Sequence, residues 1–113
     1  MSRDNASLLD IAEAAQLILE FAQGLDKTEL AANLEKQSAV LYQIVIIGEA
    51  VKRLSTDFRN QHPHIPWREI AGMRDILTHQ YDRVEVDEIW GVIQDDIPQL
   101  LSMIEPLLPV QEP

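Results

Sequence analysis

The chain has no cysteine, so disulfides and thiolate chemistry are excluded and a reducing compartment fits. Two Trp, two Tyr and two Phe are its only aromatics, too few to build a stacking platform for single-stranded nucleic acid. No apolar run is long enough to span a membrane, and Met1-Ser2-Arg3-Asp4-Asn5 does not open a signal peptide. No segment alternates apolar and polar residues as an exposed strand does, and there are no internal repeats and no linker. A single cytoplasmic domain of 113 residues is expected, all-α, with residues 109–113 as a frayed tail.

Positive charge is also scarce. Nine Lys and Arg stand against nineteen Asp and Glu, a formal net charge of −10. Non-specific nucleic-acid binding relies on basic side chains that neutralise phosphates, so the balance argues against it. The distribution matters more than the total. Residues 1–35 hold two basic and seven acidic residues, and residues 84–113 hold seven acidic and no basic ones. Residues 36–83 hold seven basic and five acidic residues, together with all three histidines. RNA could be admitted at this middle third and refused elsewhere.

Apolar periodicity organises the rest. Leu8, Ile11, Ala15, Ile18 and Ala22 predict an amphipathic helix over residues 5–23, with Asn5 as cap and Gly24 as stop. Asp26-Lys27-Thr28-Glu29 begins a short, loosely held turn of helix. Residues 33–54 form a long helix that is apolar on more than one side, so it is central in the bundle or packs on another chain. Gly48 inside it costs about 1 kcal/mol relative to alanine, which a close helix approach would offset. Glu49 and Arg53 stand at pair spacing on that helix. The connector over residues 55–64 has a short helix around residues 56–59. His62 and His64 flank Pro63, and no third ligand is near, so no metal site is expected.

Pro66 opens the next helix, expected to run to Tyr81 with Trp67, Ile70, Met73 and Leu77 as its apolar stripe and Trp67 as a core anchor. A last helix follows over residues 87–108, and Pro98 should bend it by deleting the bond to the Gln94 carbonyl. The architecture expected is a four- to five-helix up-and-down bundle.

Chemistry concentrates in Arg74-Asp75-Ile76-Leu77-Thr78-His79-Gln80-Tyr81. On an α-helix Asp75 and His79 are neighbours one turn apart, and Arg74 and Tyr81 share an azimuth. A carboxylate–imidazole pair, a guanidinium and a phenol on one element are parts of a phosphate-handling site. A solvated polar face is the plainer reading of the same residues.

The spacing Arg74-x4-His79-x-Tyr81 resembles the R-x4-H-x-Y signature of the HepT toxins, a branch of the HEPN (higher eukaryotes and prokaryotes nucleotide-binding) superfamily of helical ribonucleases. Its surroundings extend the likeness. Residues 46–54, IIGEAVKRL, resemble that family's IIGEAxKRL segment. Residues 62–75, HPHIPWREIAGMRD, resemble its HPxIPWRxIAGxRD segment, although the position of His64 varies in the family. Val86 to Trp90 and Asp96-Ile97-Pro98 resemble its last helix. Together these cover about residues 3–108.

The resemblance implies a HEPN-like bundle forming a two-fold homodimer, with a composite active site at the interface. It implies a metal-independent endoribonuclease, without cofactor, acting as the toxin of a type VII-like toxin–antitoxin system. Arg74 and His79 would be catalytic and Asp75 would orient His79. Tyr81 would receive AMP from a minimal nucleotidyltransferase antitoxin of the MntA kind. Dimerisation also answers a geometric need, because Arg74 and His79 point about 140° apart on one α-helix. The alternative is an inactive HEPN module that binds nucleotides or partner proteins.

Overall fold

The computed structural model describes residues 2–77 and 85–110. Its described residues are helical and contain no strand, as the sequence predicts. The first helix, α1, spans Arg3–Ala22. Its cap is Ser2 rather than Asn5: the Ser2 hydroxyl accepts the Asn5 N–H at 3.0 Å. Apolar periodicity becomes clear only at Leu8, so the polar first turn carried no signal of its own. Leu8, Ile11, Ala15 and Ile18 are fully buried. Gly24 ends the run with φ of 79°, a left-handed conformation that costs glycine little.

The short helix α2, Lys27–Ala31, is firmly held, contrary to expectation. Asp26 accepts from the Glu29 N–H at 2.7 Å while Glu29 accepts from the Asp26 N–H at 3.0 Å. This reciprocal capping satisfies two end donors at once. Leu30 is fully buried, and the Gln37 side-chain amide donates to the Leu30 carbonyl at 2.9 Å. Lys27 pairs with Asp87 of the last helix.

Helix α3, Leu34–Arg53, is capped by Asn33 and is the central element. It packs along α1 and also meets α2, α5 (Trp67–Gly72) and α6 (Val86–Gly91), which explains its two apolar sides. Val40, Ile44, Ile47 and Ala50 are fully buried. Helix α4, Thr56–Gln61, starts at Ser55, whose backbone N–H and hydroxyl both donate to Asp4 at 2.7 and 2.8 Å. The α1 carboxylate thus clasps the start of the connector. Trp67 is a core anchor as predicted: it is buried, and its indole N–H donates to the His62 carbonyl at 3.1 Å.

Helix α5, Trp67–Gly72, is shorter than predicted. Pro66 is its cap rather than its first residue, and Met73–Leu77 continue as a 3-10 helix. Gly72 is a poor α-helix former, and 3-10 turns are frequent at helix ends. Leu77's side chain and the predicted continuation to Tyr81 lie outside the described residues. The last helix comprises α6, Val86–Gly91, a π-helical turn Val92–Asp96, and α7, Ile97–Ile104. The π turn answers Pro98. That ring would clash with the Gln94 carbonyl in a regular α-helix; widening the preceding turn avoids this, and the Ile97 N–H bonds to the Val92 carbonyl five residues back. Ile97, Leu100 and Ile104 close the core against α1. Among the described residues no helix is long and apolar enough to cross a membrane.

Candidate active site

The site is built at the crossing of α3 and α5. A Cβ added at Gly48 would lie 3.2 Å from the Ala71 carbonyl oxygen and 3.2 Å from Arg74 Cδ. The bare glycine therefore lets the two helices approach and gives the Arg74 stem a groove to lie in. This is the close approach that the sequence predicted for Gly48.

Arg74 leaves that groove and donates from Nη1 to Glu49 Oε1. The Arg74 side chain is 33 % exposed and the Glu49 side chain 49 %. The guanidinium is thus anchored along its stem, reachable at its head, and matched by one carboxylate. Glu49 does not pair with Arg53 as the helical spacing suggested. Arg53 reaches Asp10 of α1 at 3.3 Å instead. Both residues of α3 take partners on neighbouring helices, because inter-helix packing brings those charges into reach.

Asp75 follows in the 3-10 turn and is exposed. Its Oδ2 lies 3.8 Å from where a Gly72 Cβ would stand, so the carboxylate reaches back along the helix. The 3-10 winding turns successive residues by about 120° rather than 100°, which revises the azimuths drawn for a continuous α-helix. His79 and Tyr81 lie outside the described residues. The structure therefore places Arg74 and Asp75 side by side and adds Glu49, which the sequence reading left out. The available signal was Gly48 alone: a glycine embedded in a helix marks a close approach, and Glu49, about 100° further round the axis, stands at the edge of that contact.

His62 and His64 are placed by the connector. Their ring centroids are 6.1 Å apart, and the His62 ring lies 4.7 Å from that of Phe58. Among the described residues no group of three or more His, Asp or Glu is disposed to hold a metal ion.

Comparison with known proteins places this geometry in a family. The model of the family described as "Ribonuclease HepT-like" matches residues 11–107. The chain is 43 % identical over 108 residues to a protein of Thermococcus cleftensis named "Probable ribonuclease HepT", covering 95 % of this chain and 98 % of that one. It is 35 % identical over 100 residues to a protein of Methanocaldococcus jannaschii with a provisional RNase name, covering 88 % and 92 %. A similarly named protein of Caldanaerobacter subterraneus subsp. tengcongensis is 36 % identical over 98 residues, covering 87 % and 88 %. No solved structure matches the chain. The bundle, the Gly48 crossing beneath Arg74 and the match over nearly the whole sequence lead to one assignment: the chain belongs to the HepT-like ribonuclease family.

Proposed function

We propose that this chain is a metal-independent endoribonuclease and the toxin of a toxin–antitoxin pair. The observation that carries the reading is Arg74, whose stem is fixed in the Gly48 groove while its guanidinium reaches the surface. A fixed, always-charged fork is what a phosphorane needs, because it can meet two phosphate oxygens together. Family membership and the R-x4-H-x-Y spacing support the remaining roles.

In this mechanism the ribose 2′-hydroxyl attacks the adjacent phosphorus. The 2′-oxygen loses its proton to one imidazole, and the departing 5′-oxygen gains a proton from another. The products are a 2′,3′-cyclic phosphate and a 5′-hydroxyl. His79 suits both transfers because its free pKa lies near neutrality. Asp75 would orient the ring and favour its charged form. One histidine cannot easily serve as acid and base together, so two copies would share the substrate across a two-fold axis.

Control would come from Tyr81. A MntA-like nucleotidyltransferase would join its phenol oxygen to the α-phosphorus of ATP, releasing pyrophosphate. The added adenylate would crowd Arg74 and His79 with bulk and negative charge. Arg74→Ala and His79→Ala are expected to abolish RNA cleavage with unchanged far-UV circular dichroism. Full activity in either purified variant would refute that residue's role. Tyr81→Phe should stay toxic and gain no adenylate mass with the partner and ATP.

A second reading, a partner-binding module without catalysis, draws on the net charge of −10 and on the Glu49 carboxylate covering Arg74. Growth arrest on expression without the partner, relieved by His79→Ala, favours the enzyme. Absence of arrest favours the module.

A further inference from the structure

Four of the nine basic side chains of this acidic protein have a partner among the described residues. Lys27, Arg53 and Arg74 are in ion pairs, and Lys36 lies over the Phe21 ring. Arg59 and Arg68, like Arg3 and Lys52, form no ion pair among the described residues, and what sets Arg59 and Arg68 apart is that they stand together. Both line one open groove of about 510 Å³, between α4 and the start of α5, with Thr56, Asn60 and Glu69. Pro63 and Pro66 stiffen its wall. Two guanidinia against one bordering carboxylate leave it net positive. The groove between α1 and α3 has the opposite character, being lined by Asp10 and Glu13 with no basic residue.

Arg59 adds an independent sign. Its Nε–H is shielded from solvent and has no hydrogen-bond acceptor. Orphaned buried donors are uncommon in folded proteins and call for an explanation, a missing ligand among them. A small rotation of the side chain would offer Nε and Nη together as a fork suited to a phosphate. The Thr56 hydroxyl and the Asn60 amide are uncharged groups of the kind that also contact phosphate oxygens.

We infer that this groove binds the sugar–phosphate backbone of the RNA strand flanking the scissile linkage, through Arg59 and Arg68. The inference rests on the ribonuclease reading for its choice of ligand. Position supports it. Arg68 lies six residues before Arg74 on one helical run, roughly 9–10 Å along the axis. A stacked strand carries one phosphate about every 3.4 Å. Six residues also turn the two side chains about 120° apart around the axis, so the groove would take phosphates at least three linkages from the one held by Arg74. It also explains how a chain of such negative charge could hold RNA: contact is confined to one strip and repelled elsewhere.

The test measures binding of a fluorescein-labelled, twelve-nucleotide single-stranded RNA to the full chain carrying His79→Ala, by anisotropy across a salt series. Cleavage of the same RNA by the otherwise unaltered chain is followed in parallel. Adding Arg59→Gln or Arg68→Gln should weaken binding about three- to tenfold. Each should also lower the slope of log affinity against log salt by about 0.7, the loss of one phosphate contact on a single strand. Arg68→Lys should restore the slope, and Lys36→Gln, near the start of α3, should leave it unaltered. Arg68 is exposed, so its variant remains informative even where Arg59→Gln fails to fold. Slopes unchanged in Arg68→Gln would overturn the inference. Arginine-dependent binding without any cleavage by the unaltered chain would leave the groove standing and remove the ribonuclease reading.

Discussion

At the residue scale, the proposed activity turns on what Arg74 touches before substrate arrives. Its head is matched by Glu49 and its stem occupies the space that Gly48 leaves open. The two contacts act differently. The groove restrains the side chain, whereas the carboxylate competes with any phosphate for the same donors. A half-exposed ion pair contributes about 0.2–1 kcal/mol, screened by salt. Glu49→Gln should therefore lower KM for RNA by up to about fivefold, with a smaller gain at high salt. Steady-state cleavage at two ionic strengths checks this. A raised KM would mean that the carboxylate positions the guanidinium rather than competing for it.

At the element scale, the last helix carries the clearest local conflict. Its π turn accommodates Pro98, and Asp96 ends that turn. Desolvation, followed by repulsion from neighbouring Asp95, raises the Asp96 carboxyl above the usual carboxylate range. A raised folded value means that stability falls as pH climbs through the ordinary range up to that value, and stays reduced above it. Asp96→Asn should thus raise Tm at neutral pH and leave it unchanged in strong acid, as thermal unfolding at pH 7 and pH 3 would show. The helices themselves were legible, because apolar spacing at three and four residues marks the buried faces of α1, α3 and α7. That Pro98 would disturb this helix was legible too, but not that the disturbance would take π form, since a kink would relieve the same clash with the Gln94 carbonyl. The switch of α5 to 3-10 winding at Met73 and the Glu49–Arg74 pair were hidden as well. The first turns on where a helix end tightens after Gly72, and the second on how closely α3 and α5 cross, about which spacing along one helix says nothing. Arg74 and Asp75 could be singled out only because motif and family likeness agreed. The Arg59–Arg68 groove left no trace in sequence spacing, since it is assembled from α4, a proline-framed turn and α5.

At the scale of the whole molecule, the Asp4–Ser55 clasp joins the beginning of α1 to the middle of the chain. The Ser55 backbone N–H, and then its hydroxyl, hold the Asp4 carboxyl below its ordinary value. A depressed folded value contributes stability above the ordinary carboxylate range, and that contribution is lost as pH falls through the folded value. Replacing Asp4 by Asn should therefore flatten the fall of Tm in acid, seen as a smaller drop between pH 5 and about pH 2.5. The clasp also has a practical side. Ser55 adjoins Thr56, which borders the groove of Arg59 and Arg68. An acidic affinity handle fused ahead of Ser2 would emerge near that groove and compete there with a polyanion. A preparation with that handle cleaved away would bind RNA more tightly than one that keeps it.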